Sequence, residues 1–368
     1  MPNRSTCRTS RRRVRPNNWS RGRPRRMRSA TDEGPRAGTD TRCGGSRICR
    51  FRACMRASSV ECSDCRRSFR RTNGNTFEAA QRIVRWHYQW IVVHDFLRRI
   101  VGAQMRGKVF KEEPNALPVI DRRFFKWKYE PYMPVESSVA AYRFGHSMIR
   151  GRYRLNTLVG GPGPSGNGGP LPTFTPDSAN PLGHFGGFRI LPPFWTIEWA
   201  RFFEVDGASQ DGLQPSRLID TKLANPLAAL PPEIAGNRPS LISRNLTRGA
   251  RMMLPSGQDV AAHMGGPVLS DADLELPGGG AAPLWYYILK EASLLGDGGK
   301  HLGPIGGRIV AEVMLGLMSQ DPSSYLRVQP TWKPFLPAAE AEDFTVPDLI
   351  KVAGHGLGVT DLPAPPSR

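Results

Sequence analysis

A helical repeat of apolar residues, which begins abruptly near residue 77, constrains the fold of this 368-residue chain more than any other feature. Asn75 and Glu78 have the spacing of a helix N-cap pair, and Gly102 supplies a stop signal. The pattern therefore predicts a helix of about 26 residues with one broad buried face. The residues that recur at helical spacing are Phe77, Ala80, Ile83, Val84, His87, Ile91, His94, Leu97 and Val101.

Further helical patterns follow this one, and no alternating strand pattern of any length accompanies them. Long segments rich in proline and glycine separate the helices, and the loop at 160–172 is the clearest of them. The predicted fold class is mainly α, with long Pro/Gly loops. The predicted helices cover residues 135–150, 194–203, 241–251, 283–295 and 304–318, and a short last helix starts at Thr345 with Asp348 as its capping partner.

The positive charge lies almost entirely at the N-terminus. The chain has a net charge of +19, but residues 1–72 alone hold 21 arginines, no lysine and five acidic residues, a net charge of +16. The remainder carries only +3, so the charge does not make the helical part a nucleic-acid-binding domain. All six cysteines lie in the same N-terminal part: Cys7, Cys43, Cys49, Cys54, Cys62 and Cys65.

The chain therefore divides into an Arg/Cys-rich segment at 1–74, a helical domain at 75–354 and a tail at 355–368. Three interpretations of the first segment remain open. It is a disordered basic arm that binds a polyanion, a zinc module built around Cys62 and Cys65, or GC-rich coding sequence translated out of frame. The sequence shows neither an apolar run long enough to span a membrane nor a secretory signal, and the compartment stays unknown.

Two candidate patterns carry little functional weight. Gly161, Gly163 and Gly166 match a GxGxxG motif formally, but the prolines between them do not suit a loop that cradles phosphate. His87 and His94 lie two turns apart on the long helix, which is too far for easy chelation of one ion. We interpret them as core histidines with hydrogen-bond partners.

His146 is the strongest candidate for a metal ligand. On a regular helix Val139, Arg143, His146 and Arg150 would share one face. A histidine one turn from an arginine suits a flat, anionic cofactor, because the imidazole can reach a metal while the guanidinium reaches a carboxylate at the cofactor's rim. The alternative is a buried histidine that is bonded to the backbone.

Five segments, in order, resemble the animal-type haem peroxidase family, in particular its bacterial, peroxinectin-like members. Residues 77–97 resemble the long helix of that family, and 135–149 resemble its proximal-histidine helix. Residues 245–258 resemble the segment that supplies the proximal asparagine, and 302–316 and 344–350 resemble its C-terminal segments. The resemblance covers only the proximal, C-terminal half of the family's domain.

The resemblance implies a set of roles around a haem. His146 would bind the iron, and the side-chain oxygen of Asn245 would accept the N–H of the other ring nitrogen. Arg143 would meet a haem propionate, with help from Arg248. The implied substrates are hydrogen peroxide and small organic electron donors, in a response to oxidative stress.

The distal half of the family is not recognisable in this chain. It supplies a histidine beside a calcium-ligating aspartate, together with an arginine that stabilises charge as the peroxide is cleaved. Residues 1–74 contain no histidine, so we recognise neither distal catalytic residues nor the calcium site. We therefore expect weak haem binding and poor peroxidase turnover.

Two alternative functions stay open at this point. Fatty-acid dioxygenases of the same superfamily carry a radical tyrosine three residues before the proximal histidine. Arg143 occupies that position here, and Tyr142 is displaced by about 100° around a helix. The other alternative is a non-catalytic protein that binds nucleic acid or another polyanion through residues 1–74.

Overall fold

The computed structural model describes residues 76–354, except for 114–115, 128, 160–169, 175–183, 186–189, 191, 206–211, 277 and 341–342. The predictions for the Arg/Cys-rich segment, the glycine motif at 161–166 and the tail at 355–368 lie outside the described residues.

The predicted long helix is present, but its winding changes along its length. It consists of α1 (Thr76–Ile91), a π-helical turn (Val92–Phe96) and α2 (Leu97–Val101). Gly102 ends it as predicted, with a φ of 78° that favours glycine, and α3 (Ala103–Val109) follows directly. Most of the apolar face is buried in the core, whereas Ala80, Val84 and His94 are partly buried and Phe77 is exposed.

The mainly α prediction is confirmed. In the described part of the chain, two antiparallel pairs of two-residue strands accompany the helices: β1 (Phe110–Lys111) with β2 (Val119–Ile120), and β3 (Arg152–Tyr153) with β4 (Leu171–Pro172). Among the described residues, no helix combines the length and hydropathy needed to cross a bilayer. The other α-helices are α4 (Gly145–Met148), α5 (Pro232–Ala235), α6 (Leu241–Arg251), α7 (Gly257–His263), α8 (Asp271–Leu274), α9 (Leu284–Leu295), α10 (Pro304–Gln320), α11 (Tyr325–Val328) and α12 (Val346–Val352).

Helices α9 and α10 form the centre of the core. α10 packs against α2, α3 and α9, while α9 also contacts α6 and α7. Their junction contains a buried carboxylate, Glu291, which accepts hydrogen bonds from the backbone N–H groups of Ile305 (2.9 Å) and Gly306 (3.1 Å). These are unpaired donors of the first turn of α10, so Glu291 caps that helix from a neighbouring one. Burial nevertheless raises the pKa of Glu291 to about 7.

One predicted helix, at 194–203, is wrong. The structure has only a 3₁₀ turn at Trp199–Arg201. The buried side chain of Asn156 explains the difference, because its Nδ2 donates to the carbonyls of Phe194 (2.9 Å) and Thr196 (2.7 Å). Those carbonyls are acceptors that a helix would need, and Asn156 occupies them instead.

Candidate functional site

The segment that carries His146 is helical, as predicted, but it is not one regular helix. It runs through a π-helical turn (Glu136–Ala140), a 3₁₀ turn (Ala141–Phe144) and α4. The expectation that four residues share one face is therefore corrected. Arg143 and His146 line the same cavity, whereas Arg150 donates to the carbonyl of Pro215 (3.0 Å) and does not line it.

Helix α6 brings the second set of predicted residues to this segment. Ser240 caps its start by accepting from the N–H of Ser243, and the helix packs against the π-helical turn. Asn245, one turn inside the helix, is 1% exposed, and its side chain reaches His146. The structure therefore joins two residues that are 99 positions apart in the sequence.

The hydrogen bonds around Asn245 differ in direction from the expected ones. Arg143 Nη1 donates to Asn245 Oδ1 (2.8 Å), and Asn245 Nδ2 lies 2.9 Å from His146 Nδ1. A guanidinium can only donate, so the amide oxygen must face Arg143 and the NH₂ group must face the imidazole. His146 Nδ1 is then the acceptor and its proton lies on Nε2, whereas the family resemblance implies that the Asn245 oxygen accepts from the ring.

Electrostatics keep His146 neutral. Partial burial lowers its pKa, and the positive charge of Arg143 lowers it further. The pKa of the Arg143 guanidinium is also lowered, first by burial and then by repulsion from Arg248. A neutral imidazole is the form that binds a metal.

The predicted residues surround one open cavity of about 480 Å³. Arg143, His146, Asn245 and Arg248 all line it. Three further arginines of this cavity were not predicted from the sequence. Two of them could have been found, because the arginines of α6 are spaced four and three residues apart and so share one face. The three arginines are Arg238, Arg244 and Arg251.

The two histidines of the long helix are core residues, as predicted. His87 is fully buried, with Nδ1 2.7 Å from the carbonyl of Ile83, and burial lowers its pKa to about 4. His94 stacks on Trp90 with the ring centres 3.6 Å apart and lies 3.1 Å from Arg106. Burial, and then the Arg106 charge, lower the pKa of His94 to about 3. Neither histidine faces the cavity of His146.

The residues of the cavity fit the proximal side of a haem. The neutral imidazole of His146 is partly exposed and could bind an iron, and the Asn245 amide contacts its Nδ1. The guanidiniums of Arg143 and Arg248 suit the carboxylate groups at the rim of the cofactor. The Nε2 proton would have to move to Nδ1 before iron could bind, and the Asn245 amide would have to turn to accept it. The turned amide would present its NH₂ group to Arg143, so the bond between Arg143 and Asn245 would be lost and that guanidinium would be left to meet a carboxylate. The described residues contain no cluster of three or more histidine, cysteine, aspartate or glutamate side chains that could hold a metal ion. A haem held through one histidine does not require such a cluster.

Comparison with known proteins agrees with the resemblance over part of the chain. Residues 68–165 match the family model described as animal haem peroxidase. This segment contains α1, α2 and the whole segment around His146, while Asn245 and Arg248 lie beyond it. No curated protein matches the chain. Over residues 68–165 the chain is thus similar to the animal haem peroxidases, and the family resemblance inferred from the sequence is confirmed for that part.

Proposed function

We propose that this chain binds haem through His146 and derives from enzymes that reduce hydrogen peroxide while they oxidise small organic donors. The observation that carries the proposal is the hydrogen-bonded series Arg143–Asn245–His146, at the wall of a cavity that Arg248 also lines. The family match over residues 68–165 supports the same assignment.

Each residue of the series has a defined task in this proposal. His146 supplies the iron ligand, and Asn245 fixes the direction of its ring. Arg143 and Arg248 neutralise the cofactor's carboxylates. A bound haem supplies the iron that carries out the redox chemistry with peroxide.

A dioxygenase activity receives less support. That chemistry would require a tyrosine beside the iron ligand, but Tyr142 is half exposed, contacts the ring of Phe144 and does not line the cavity of His146. Arg143 occupies the position that such a tyrosine would need.

Haem reconstitution of the full chain tests the proposal. We expect a Soret band of histidine-ligated haem that is lost in His146→Gly and restored by added imidazole, which can enter the vacated position. His263→Gly is the control, because His263 is exposed and lies outside this cavity. A spectrum that is unchanged in His146→Gly would refute the assignment of the ligand.

Turnover is measured separately from binding. We expect peroxide-dependent oxidation of a phenolic donor at a rate close to that of free haem, since no distal base is recognisable in residues 1–74. A rate far above free haem would show that the N-terminal segment supplies distal catalytic groups.

A further inference from the structure

The cavity beside His146 has an unusual density of positive charge. Five arginines line it, and none of its described lining residues is an aspartate or a glutamate. Three of the five, at positions 244, 248 and 251, lie along one face of α6, and Arg238 precedes that helix. Arg143 approaches from the facing segment.

These charges are not neutralised by ion pairs with described carboxylates. The recorded partners are neutral: Arg244 donates to the carbonyl of Ala235 (2.9 Å), and Arg238 donates to Thr247 Oγ1 (3.2 Å). Like charges one helical turn apart repel each other and destabilise a helix. Burial lowers the pKa of Arg143, and repulsion from Arg248 lowers it further. A cluster of this kind is stabilised when an anion binds to it.

The proposed haem accounts for only part of this charge. It has two carboxylates, which Arg143 and Arg248 are placed to meet under the proposed function. Arg238, Arg244 and Arg251 then remain without an anionic partner among the described residues. Arg238 and Arg251 are exposed at the edge of the cavity and Arg244 is partly buried, so the three are open to a solute.

We propose that Arg238, Arg244 and Arg251 form a second anion subsite, beside the haem position, for a small oxyanion with at least two negative charges. Guanidiniums bind phosphate and carboxylate groups through paired N–H donors, and three of them around one cavity favour a multiply charged ligand over a single carboxylate. This inference rests on the proposed function only in assigning Arg143 and Arg248 to the haem.

The test is hydrogen exchange of the full chain with inorganic pyrophosphate or citrate at constant ionic strength. Exchange is measured at the amides of α6, because the 21 arginines of residues 1–72 would dominate any global binding signal. We expect the bound anion to slow amide exchange in α6. Whichever of the two ligands gives this protection at the lower concentration shows whether the site prefers phosphate or carboxylate groups. The triple variant Arg238→Gln, Arg244→Gln, Arg251→Gln should bind at least about tenfold more weakly.

A control variant removes the same charge elsewhere: Arg85→Gln, Arg98→Gln, Arg327→Gln. It should keep the protection of α6, and so should the chain loaded with haem. Equal loss of protection in both triple variants would overturn the proposal, because binding would then follow net charge alone. Loss on haem loading would also overturn it, since all five arginines would then serve the haem. If haem fails to bind while protection of α6 persists, the anion subsite stands and the proposed function fails.

Discussion

The buried histidine His87 should make the protein lose stability as the solution is acidified. Its ring lies between three aromatic side chains, with centre-to-centre distances of 4.9 Å to Trp332, 5.0 Å to Phe335 and 4.8 Å to Phe344. Nδ1 must carry the proton, because its partner is the carbonyl of Ile83, which can only accept. The other nitrogen, Nε2, is then an acceptor.

Protonation of Nε2 would break two hydrogen bonds. This nitrogen accepts from the backbone N–H groups of Phe335 (3.4 Å) and Leu336 (3.3 Å), and a proton there would face both donors. Burial lowers the pKa of His87 to about 4, compared with 6.5 for an ordinary histidine, although the hydrogen bond to the Ile83 carbonyl acts to raise it.

The sign and size of the effect follow from the two pKa values. Between pH 6.5 and pH 4 the unfolded chain binds a proton at this histidine and the folded chain does not. The free energy of unfolding therefore decreases as the pH is lowered through this range. The contribution of His87 is complete above pH 6.5 and is lost progressively below it. A shift of this size corresponds to about 3 kcal/mol, at 1.36 kcal/mol for each pKa unit.

The measurement compares urea unfolding of the wild type and His87→Gln from pH 7.5 to pH 4.5. Glutamine keeps a polar partner at this position but does not titrate. The wild type should lose about 2–3 kcal/mol more than the variant over this range. Contributions from other groups, such as Glu291, cancel in the difference. His263→Gln, which changes an exposed histidine, should follow the wild type. Parallel curves for the wild type and His87→Gln would refute the reasoning.

Three other predictions concern the site and the core. In the haem-free chain, ¹⁵N NMR should show His146 protonated at Nε2, and Arg143→Leu should populate the other tautomer because the amide is then free to turn; a wild-type ring protonated at Nδ1 would contradict this. In haem-loaded protein, Asn245→Asp should lower the iron's reduction potential, measured by spectroelectrochemistry, because a carboxylate pulls harder on the ring N–H; an unchanged or higher potential would contradict it. Gly257→Ala should destabilise the protein by about 1–3 kcal/mol in calorimetry, because the added Cβ would lie 2.0 Å from the buried ring of Tyr287. Gly107→Ala is the control and should not destabilise the protein, because its Cβ would have no atom within 4 Å.

Local sequence signals located most of the long helices. The predicted helix at 241–251 has the observed bounds, and those at 283–295 and 304–318 differ by only one or two residues at an end. The short last helix begins with the predicted capping pair, Thr345 and Asp348. These predictions succeeded because periodicity and caps are properties of neighbouring residues. Among the described residues, the short helices α3, α5, α7, α8 and α11 were missed, because each has only one or two turns of apolar pattern. Ser256, Ser270 and Ser324 nevertheless mark the starts of three of them.

The sequence by itself predicted four of the residues that line the candidate site, through the spacing of Arg143 and His146 and the family resemblance that pointed to Asn245 and Arg248. Only the tertiary structure decided how they interact. The direction of the Asn245 hydrogen bonds depends on Arg143, a donor that lies 102 residues away in the chain. The cluster of five arginines exists only because α6 packs against the segment around His146. Periodicity and capping act within a few residues, whereas hydrogen-bond direction and charge density depend on which segments come together in space.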